Sequence, residues 1–390
     1  MTDRTLGIIL NGATGRICST QHLANALAPL RAEGGLEIGG EKVMPRLILA
    51  GRDEAGLAEI ARAHGIDAWT TDLDAALADD NYPVFFDASA SHLRLEVLRR
   101  ALAAGKHVFS EKPFAPSVKD GLELLGMAEA GGLKHGVVED KLFIPGFRKL
   151  SHLMESGFFG RIVGFRLEFG WWVFDGLERP SQRPSWNYQK SGGGGLVFDM
   201  HSHWRYIVEG LLGPIARVSC ATWTAQPQRN DENGARYDVD VEDSAATLVE
   251  LENGAFGTIL STWATRVRRD DLMTLHIDGT LGSAVAGLRK CWAQSAADTP
   301  TVTGFNLGSD PATLDDHVDY FADWREVPEP APYKNPFRIC WENYIAHVIA
   351  DAAFTSDFNA GLRDVLLPEA CLRSATDGKW SAMTLPERLP

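Results

Sequence analysis

The chain has 390 residues, with 38 Lys and Arg against 52 Asp and Glu, which gives a net charge of −14. So acidic a chain is a poor partner for nucleic acid or anionic membranes. Its hydrophobic share of 45% and charged share of 23% are those of a globular protein long enough for about two or three domains. The five cysteines are too widely spaced for a disulfide framework, and no secretory leader or membrane span is evident, so we expect a cytoplasmic protein.

The first part of the chain alternates short apolar runs with helical segments. The runs are typical of buried strands and lie at residues 6–10, 46–50, 84–87 and 107–110. Helical segments at 17–27, 55–64 and 93–104 separate them. This alternation indicates right-handed βαβ units, so we predict an α/β fold with a doubly wound parallel sheet. We place this first domain at residues 1–130.

The pattern changes in the remainder of the chain. Apolar and polar residues alternate with period two at 160–172, 216–224, 245–252, 256–263 and 272–278. Turns such as Asn253-Gly254 join consecutive segments, which is typical of antiparallel strands. We therefore predict a second domain over residues 131–390, with an open, mainly antiparallel sheet and helices at 204–212 and 337–350.

A glycine-containing turn follows the first predicted strand. Gly12 and Gly15 match the second and third glycines of the G-x-G-x-x-G fingerprint, while Leu10 occupies the first position. Such glycines let the backbone approach a pyrophosphate, and the following helix N-terminus favours its charge. The predicted cofactor-binding residues of this turn are Gly12, Ala13, Thr14, Gly15 and Arg16. A structural turn without a ligand is the alternative.

Two charged residues follow the second strand, where the choice between NAD and NADP is usually made. Arg52 favours NADP, because an arginine can accept the 2′-phosphate. Asp53 could instead bind the ribose hydroxyl of NAD. We predict NAD or NADP as the cofactor, and the alternative is that both are solvated loop charges.

Glu111, Lys112 and Pro113 follow the strand at 107–110. The carboxyl ends of parallel strands are where open α/β sheets bind ligands. A lysine there can donate to a reacting hydroxyl and stabilise a developing alkoxide, and a proline in such a tight exit is a candidate for a cis peptide. An ordinary surface turn is the other interpretation.

Asp199 and His203 lie four residues apart at the start of a predicted helix, which places both on one face. Histidine can take and return a proton near neutrality, and a neighbouring carboxylate can orient it. His201 lies on another face at this spacing. Asp199, His201 and His203 could also bind a metal, but no further ligand stands at a recognisable spacing, so we predict no metal. A purely structural role for His203 is the alternative.

Aromatic residues surround these segments. Aromatic faces stack on the C–H surfaces of sugars and exclude water, although core packing is an equal alternative for each residue. The aromatic residues of this kind are Trp171, Trp172, Trp186, Tyr188 and Trp204. We include all but Trp204 among the predicted substrate-binding residues.

Three separated segments resemble signatures of the Gfo/Idh/MocA oxidoreductase family. They are residues 105–113 (GKHVFSEKP), 156–162 (SGFFGRI) and 192–203 (GGGGLVFDMHSH). The resemblance implies an N-terminal Rossmann domain and a C-terminal α/β domain with an open sheet. It also implies NAD(H) or NADP(H) as cofactor, a sugar, polyol or derivative as substrate, and a homodimer or homotetramer assembled through that sheet.

The resemblance also implies roles for single residues. It makes Lys112, Asp199 and His203 the catalytic residues. It places Ser89, Glu111, Lys112 and Pro113 near the cofactor, and Asp140 and Lys141 near the substrate. This chain departs from the family at Leu10, at Arg94, where a histidine is common, and at Tyr206, where an aspartate is common.

We therefore predict an NAD(P)-dependent oxidoreductase that acts on a hydroxyl of a sugar, polyol or glycoside. His203 would remove the hydroxyl proton, Lys112 would stabilise the alkoxide, and Asp199 would orient His203. The same residues would serve an NAD-dependent glycosidase that works by transient oxidation at C3, elimination, water addition and re-reduction. A dinucleotide sensor without catalysis is a further alternative.

Overall fold

The computed structural model describes residues 3–172, 175–269, 271–300 and 319–386. Its helices are α1 (π-helical over Ile17–Leu27 and α-helical over Ala28–Ala32), α2 (Glu54–Ala63), α3 (Leu73–Ala78), α4 (Ser91–Ala103), α5 (Val118–Ala130), α6 (Pro145–Glu155), α7 (Leu196–Leu212), α8 (Pro336–Ala350) and α9 (Phe358–Asp377). Within these residues, no helix is long and apolar enough to cross a membrane.

The first sheet is parallel apart from one edge hairpin. Its strands are β1 (Asp3–Asn11), β2 (Leu36–Ile38), β3 (Glu41–Ala50), β4 (Ala68–Thr70), β5 (Val84–Asp87), β6 (His107–Ser110) and β7 (His135–Val137). They run in the order β2-β3-β1-β5-β6-β7, and β4 also pairs with β3. The strand order reverses across β1, which confirms the doubly wound α/β fold.

Two features of this sheet differ from the predicted boundaries. Strand β2 pairs antiparallel with the start of β3, so β3 is longer than the apolar run that predicted it. Strand β7 pairs in parallel with β6 beyond residue 130. The α/β part therefore continues through β7 rather than ending with α5.

The second sheet is mainly antiparallel, as predicted. Its strands are β8 (Ile162–Gly170), β9 (Ile215–Trp223), β12 (Ser244–Leu251), β13 (Phe256–Thr262), β14 (Met273–Gly279), β15 (Gly282–Ala286), β16 (Cys291–Ser295), β17 (Arg325–Glu326) and β18 (Ser381–Ala382). The order is β17-β16-β15-β14-β8-β13-β12-β9-β18, and β8 and β13 form a parallel pair within it. Strands β10 (Gln228–Asn230) and β11 (Arg236–Asp238) form a separate hairpin.

The last two helices join the two sheets. Helix α8 packs on α1 beside the first sheet, where Trp341 Nε1 donates a hydrogen bond to His22 Nδ1 at 3.1 Å. Helix α9 contacts α7, α5 and strands of both sheets. Chain segments far apart in sequence therefore meet between the sheets, at the edge where β5 and β6 end.

Candidate active site

The turn after β1 has the geometry of a dinucleotide cradle. Gly12 has a φ of +76°, and a Cβ there would lie 2.9 Å from backbone atoms of Ala88 and Ser89. Only glycine fits such a position, because β5 exits directly beside the turn. The amides of Gly12 and Ala13 both donate to the carbonyl of Ala50, which ties the turn to the end of β3.

The start of α1 is open to an anion. Thr14, Gly15 and Arg16 are exposed, and no side chain caps the first turn of the helix. Uncapped amides at a helix N-terminus, with the positive end of its dipole, suit a phosphate. The residues present therefore fit the pyrophosphate of a dinucleotide.

Arg52 and Asp53 are used differently. Asp53 is the N-cap of α2, and its Oδ1 accepts from Gly56 N at 3.1 Å. Arg52 is exposed and makes no hydrogen bond or ion pair among the described residues. The carboxylate is thus engaged by its own helix, and the guanidinium is available to a ligand.

Arg94 is buried and joins the exits of β5 and β6. Its Nε pairs with Asp87 Oδ2 at 3.0 Å, Nη1 donates to Pro113 O at 2.7 Å, and Nη2 donates to Ser89 O at 2.7 Å. The hydroxyl of Ser89 also donates to Asp87. Arg94 therefore holds the turn that carries Lys112.

Glu111 faces the interior. Its Oε1 lies 2.8 Å from His22 Nε2, and its Oε2 accepts from Lys112 N at 3.1 Å. Burial alone would raise the pKa of Glu111, but the hydrogen bond from His22 and the nearby positive charges hold it below its usual value. The carboxylate of Glu111 therefore joins α1 to the Lys112 backbone, and its contact with the cofactor stays a prediction.

Lys112, just after β6, meets Asp199 of helix α7. The Lys112–Pro113 peptide is cis, and Lys112 Nζ donates to Asp199 O at 2.7 Å and Oδ1 at 3.0 Å. Arg183 forms an ion pair with the other carboxylate oxygen at 2.8 Å. Burial would raise the pKa of Asp199, but Arg183 and Lys112 lower it to about 2, so Asp199 is ionised.

The partner of His203 differs from the one that its spacing suggested. His203 Nδ1 lies 2.7 Å from the hydroxyl of Tyr206, and no hydrogen bond joins His203 to Asp199 among the described residues. Tyr206 donates in turn to Asp140 Oδ1 at 3.1 Å, and Lys141 Nζ pairs with Asp140 at 3.2 Å. Asp199 therefore orients Lys112, and Tyr206 orients His203.

The electrostatic surroundings keep His203 neutral. Burial, followed by the positive charges of Lys112, Lys141 and Arg183, lowers the pKa of His203 well below its usual value. Burial likewise lowers the pKa of Lys112, although Asp199 opposes the shift. A neutral imidazole beside a shared group of cations can take a proton while the alkoxide that forms is stabilised.

His201 lies apart from these groups. It is buried with Nε2 3.3 Å from Thr247 Oγ1, and burial lowers its pKa to about 3. Across the described ranges, no three His, Cys, Asp or Glu side chains are grouped as metal ligands. The side chains of Asp199, His201 and His203 therefore do not come together as a metal site within the described residues.

The aromatic residues divide into two groups. Trp172 and Trp186 are 45% and 40% exposed and can meet a ligand, and Trp171 is half-buried. Tyr188 is fully buried, with the Arg229 guanidinium 4.3 Å from its ring centre. Trp204 is also fully buried, so these two belong to the core, contrary to the expected substrate contact of Tyr188.

A cleft of about 950 Å³ opens beside Lys112 and Asp199. Trp186, Trp223, Glu242 and the glycine segment at 192–195 line it. Sequence reasoning missed Trp223, Arg183 and Glu242. No local pattern marks them, because each reaches the site from a loop or strand end that only the tertiary fold brings near.

Comparison with known proteins agrees with this geometry. Residues 8–138 match the family model described as an oxidoreductase family with an NAD-binding Rossmann fold, and residues 147–285 match the GFO/IDH/MocA C-terminal domain. A D-xylose dehydrogenase of Paenarthrobacter nicotinovorans is 42% identical over 94% of each chain. A levoglucosan dehydrogenase of Pseudarthrobacter phenanthrenivorans is 28% identical over 62% of this chain and 64% of its own.

Solved structures share the fold. A levoglucosan dehydrogenase in complex with NADH and levoglucosan superposes with a TM-score of 0.79 at 24% identity, over 98% of this chain and 100% of its own. The resemblance drawn from three short segments is thus confirmed over nearly the whole length. The chain belongs to the GFO/IDH/MocA family of oxidoreductases and carries that family's NAD-binding Rossmann domain.

Proposed function

We propose that this enzyme is an NAD(P)-dependent dehydrogenase that oxidises a hydroxyl of a small free sugar, with aldopentoses such as D-xylose as the first candidates. The observation that carries the proposal is the Lys112 ammonium, which Asp199 holds beside a buried, neutral His203. The 42% identity to a D-xylose dehydrogenase over 94% of both chains supports the choice of sugar.

The cofactor supplies a hydride acceptor, and the chain supplies its cradle. Gly12, Ala13, Thr14, Gly15 and Arg16 would hold the pyrophosphate at the start of α1. Ser89 and Pro113, which Arg94 ties together, would border the nicotinamide end at the carboxyl edge of the sheet.

The reacting hydroxyl would lie between Lys112 and His203. Neutral His203 accepts the hydroxyl proton, and the Lys112 ammonium stabilises the negative charge that develops on the oxygen. Trp172 and Trp186 would cover apolar faces of the sugar, and Lys141 with Asp140 would contact its other hydroxyls.

The direct test is a substrate panel on the purified protein. Formation of reduced nicotinamide is followed with D-xylose, other aldoses and polyols, each with NAD⁺ and with NADP⁺. We expect stoichiometric reduction with at least one aldose. Turnover of polyols alone would change the proposed substrate class from aldoses to polyols. No reduction of the cofactor with any sugar would contradict the proposal.

The glycosidase alternative is tested in the same experiment. Aryl glycosides are incubated with a catalytic amount of NAD⁺. Release of phenol without net reduction of the cofactor would replace the dehydrogenase by a redox-neutral glycosidase, because such a cycle returns its hydride. We expect no phenol release.

We also propose that the enzyme is a homodimer or homotetramer assembled through the second sheet. Leu248, Phe256 and Leu260 are 50%, 51% and 41% exposed on the neighbouring strands β12 and β13, on a face that no helix of the described residues covers. Contiguous apolar surface of this kind usually marks an interface.

A further inference from the structure

The hydroxyl of Tyr206 stands at the centre of three polar contacts. Its oxygen lies 2.7 Å from His203 Nδ1, 3.1 Å from Asp140 Oδ1 and 3.4 Å from the backbone nitrogen of Lys141. A phenolic hydroxyl carries one proton and two lone pairs. The three contacts therefore use all of its hydrogen-bonding capacity.

The direction of each hydrogen bond follows from its partner. A peptide N–H can only donate, so Lys141 N donates to Tyr206. The Asp140 carboxylate pairs with the Lys141 ammonium and accepts the one proton of Tyr206. The second lone pair of Tyr206 must then accept from His203, which places the proton of that imidazole on Nδ1.

The chemical consequence concerns the other ring nitrogen. When Nδ1 carries the proton of a neutral imidazole, Nε2 carries the lone pair. His203 Nε2 has no hydrogen-bond partner among the described residues, so it is left for a substrate hydroxyl. Burial and the charge of Asp140 raise the pKa of Tyr206 well above its usual value, which keeps this hydroxyl a donor at all working pH values.

We propose that Tyr206 and Asp140 are positioning residues that hold His203 as its Nδ1–H tautomer, so that Nε2 is the atom that accepts the substrate proton. The catalytic meaning of the tautomer rests on the proposed function, but the tautomer itself is a property of the free protein.

The relay also affects the charged form of His203. When the imidazole gains a proton at Nε2, its Nδ1–H bond to Tyr206 becomes charge-assisted, and Asp140 stabilises the new charge through that hydroxyl. Loss of Tyr206 is therefore expected to lower the pKa of His203 further. The charged and titratable groups that face His203 are Lys112, Asp140, Lys141, Arg183, Asp199 and Tyr206.

The test uses Tyr206→Phe, Asp140→Asn and a matched control, Tyr344→Phe. Tyr344 is also fully buried, and its hydroxyl donates to Lys134 O at 3.3 Å, away from the site. Long-range proton–nitrogen correlation spectra of nitrogen-labelled protein report which ring nitrogen of His203 is protonated. The signal is assigned by its loss in His203→Gln.

In the wild type and in Tyr344→Phe we expect an Nδ1–H, Nε2-unprotonated imidazole. Tyr206→Phe is expected to give a mixture of tautomers, to lower kcat by roughly 10- to 100-fold, as for one hydrogen bond to a charged group, and to leave KM for the sugar nearly unchanged. The acid limb of kcat/KM should move to lower pH. Asp140→Asn keeps an oxygen that accepts from Tyr206, so it should retain the tautomer and show a smaller loss.

The two proposals can fail separately. An Nε2–H imidazole in the wild type, or an unchanged tautomer in Tyr206→Phe, would overturn the relay whatever the activity. A correct tautomer pattern in a protein that oxidises no sugar would uphold the relay and reject the proposed function. Should Tyr206→Phe fail to fold, the wild-type and Asp140→Asn spectra decide the assignment.

Discussion

The ionisable groups around His203 act as one set, because three cations and two carboxylates share a small volume. Asp199 forms ion pairs with Lys112 and Arg183, and Asp140 forms one with Lys141. The three cations outnumber the two carboxylates, and the burial of His203, together with this excess positive charge near it, keeps the imidazole neutral. At the scale of single residues, the site is thus prepared to receive negative charge on a substrate oxygen.

Replacing Lys112 tests the stabilisation of that oxygen. Lys112→Met keeps the apolar stem and removes the ammonium, so we expect kcat to fall by roughly 10²–10⁴-fold, the range of a positioned acid–base group. Cofactor binding, measured by fluorescence titration, should persist. Lys119→Met, on the exposed start of α5, is the control. A near-normal kcat in Lys112→Met would show that Lys112 takes no part in the chemical step.

The pH dependence follows from two lowered pKa values. Neutral His203 is the active base, and its pKa lies well below 6.5, so sugar oxidation should persist as the pH falls through 6.5. Charged Lys112 is the active form, and its pKa lies below 10.5, so the alkaline limb should appear below pH 10.5. The measurement is kcat/KM across pH in buffers of constant ionic strength. An acid limb at or above pH 6.5 would contradict the neutral base.

Arg52 tests the choice of cofactor. Its guanidinium is exposed and unpaired among the described residues, while Asp53 is occupied as a helix cap. We expect the enzyme to accept NADP⁺, and Arg52→Ala to raise KM for NADP⁺ by about tenfold, as for one lost charge-assisted bond. KM for NAD⁺, which lacks the 2′-phosphate, is the internal control. Equal changes for both cofactors would show that Arg52 does not read that phosphate.

Elements behind the site are held by buried charge. Arg205, on α7 two residues after His203, pairs with Glu139 at the end of β7 and with Asp364 of α9, whose Oδ1 lies 2.7 Å from Arg205 Nε. All three side chains are nearly inaccessible to water. This cluster fixes the helix that carries Asp199 and His203 against the end of β7 and against α9.

Removing that arginine should destabilise the whole fold. Arg205→Met leaves two buried carboxylates without their partner, so we expect the free energy of unfolding to fall by about 3–5 kcal/mol. Urea unfolding followed by tryptophan fluorescence measures it. Arg217→Met, which breaks an exposed pair with Glu250, is the control and should cost about 0–1 kcal/mol. Equal losses in both variants would contradict a structural role for the buried cluster.

The elements themselves were partly predictable. Strands β5 and β6 coincide with their apolar runs, because a strand buried on both faces is apolar throughout. Helix α9 was not identified, and Pro368 within it explains why, since an internal proline normally ends a helical pattern. The edge strand β2 escaped notice because Leu36–Ile38 is short and half-exposed.

At the scale of the molecule, the uncovered face of the second sheet predicts assembly. Leu248→Glu combined with Leu260→Glu places charges on that face, and we expect the oligomer to dissociate, as measured by light scattering after size exclusion. Leu281→Glu is the control, because Leu281 is 58% exposed at the β14–β15 turn. An unchanged molar mass in the double variant would show that the interface does not lie on this face.

The sequence alone identified the family and the two kinds of sheet, and it predicted Lys112, Asp199 and His203 as the catalytic residues. These conclusions depend on local patterns, namely strand period, glycine turns and short motifs, which a chain displays without being folded. Helical spacing also placed Asp199 and His203 on one face.

Only the tertiary structure decided which groups pair with them. Asp199 is hydrogen-bonded to Lys112, which lies 87 residues away in the sequence. His203 contacts the hydroxyl of Tyr206, and that hydroxyl donates to Asp140, 66 residues before it. Spacing on a helix fixes a face but neither a rotamer nor the charges that other elements bring to that face. Those charges decide the partners, because a buried ion needs an opposite charge or hydrogen bonds wherever the fold supplies them.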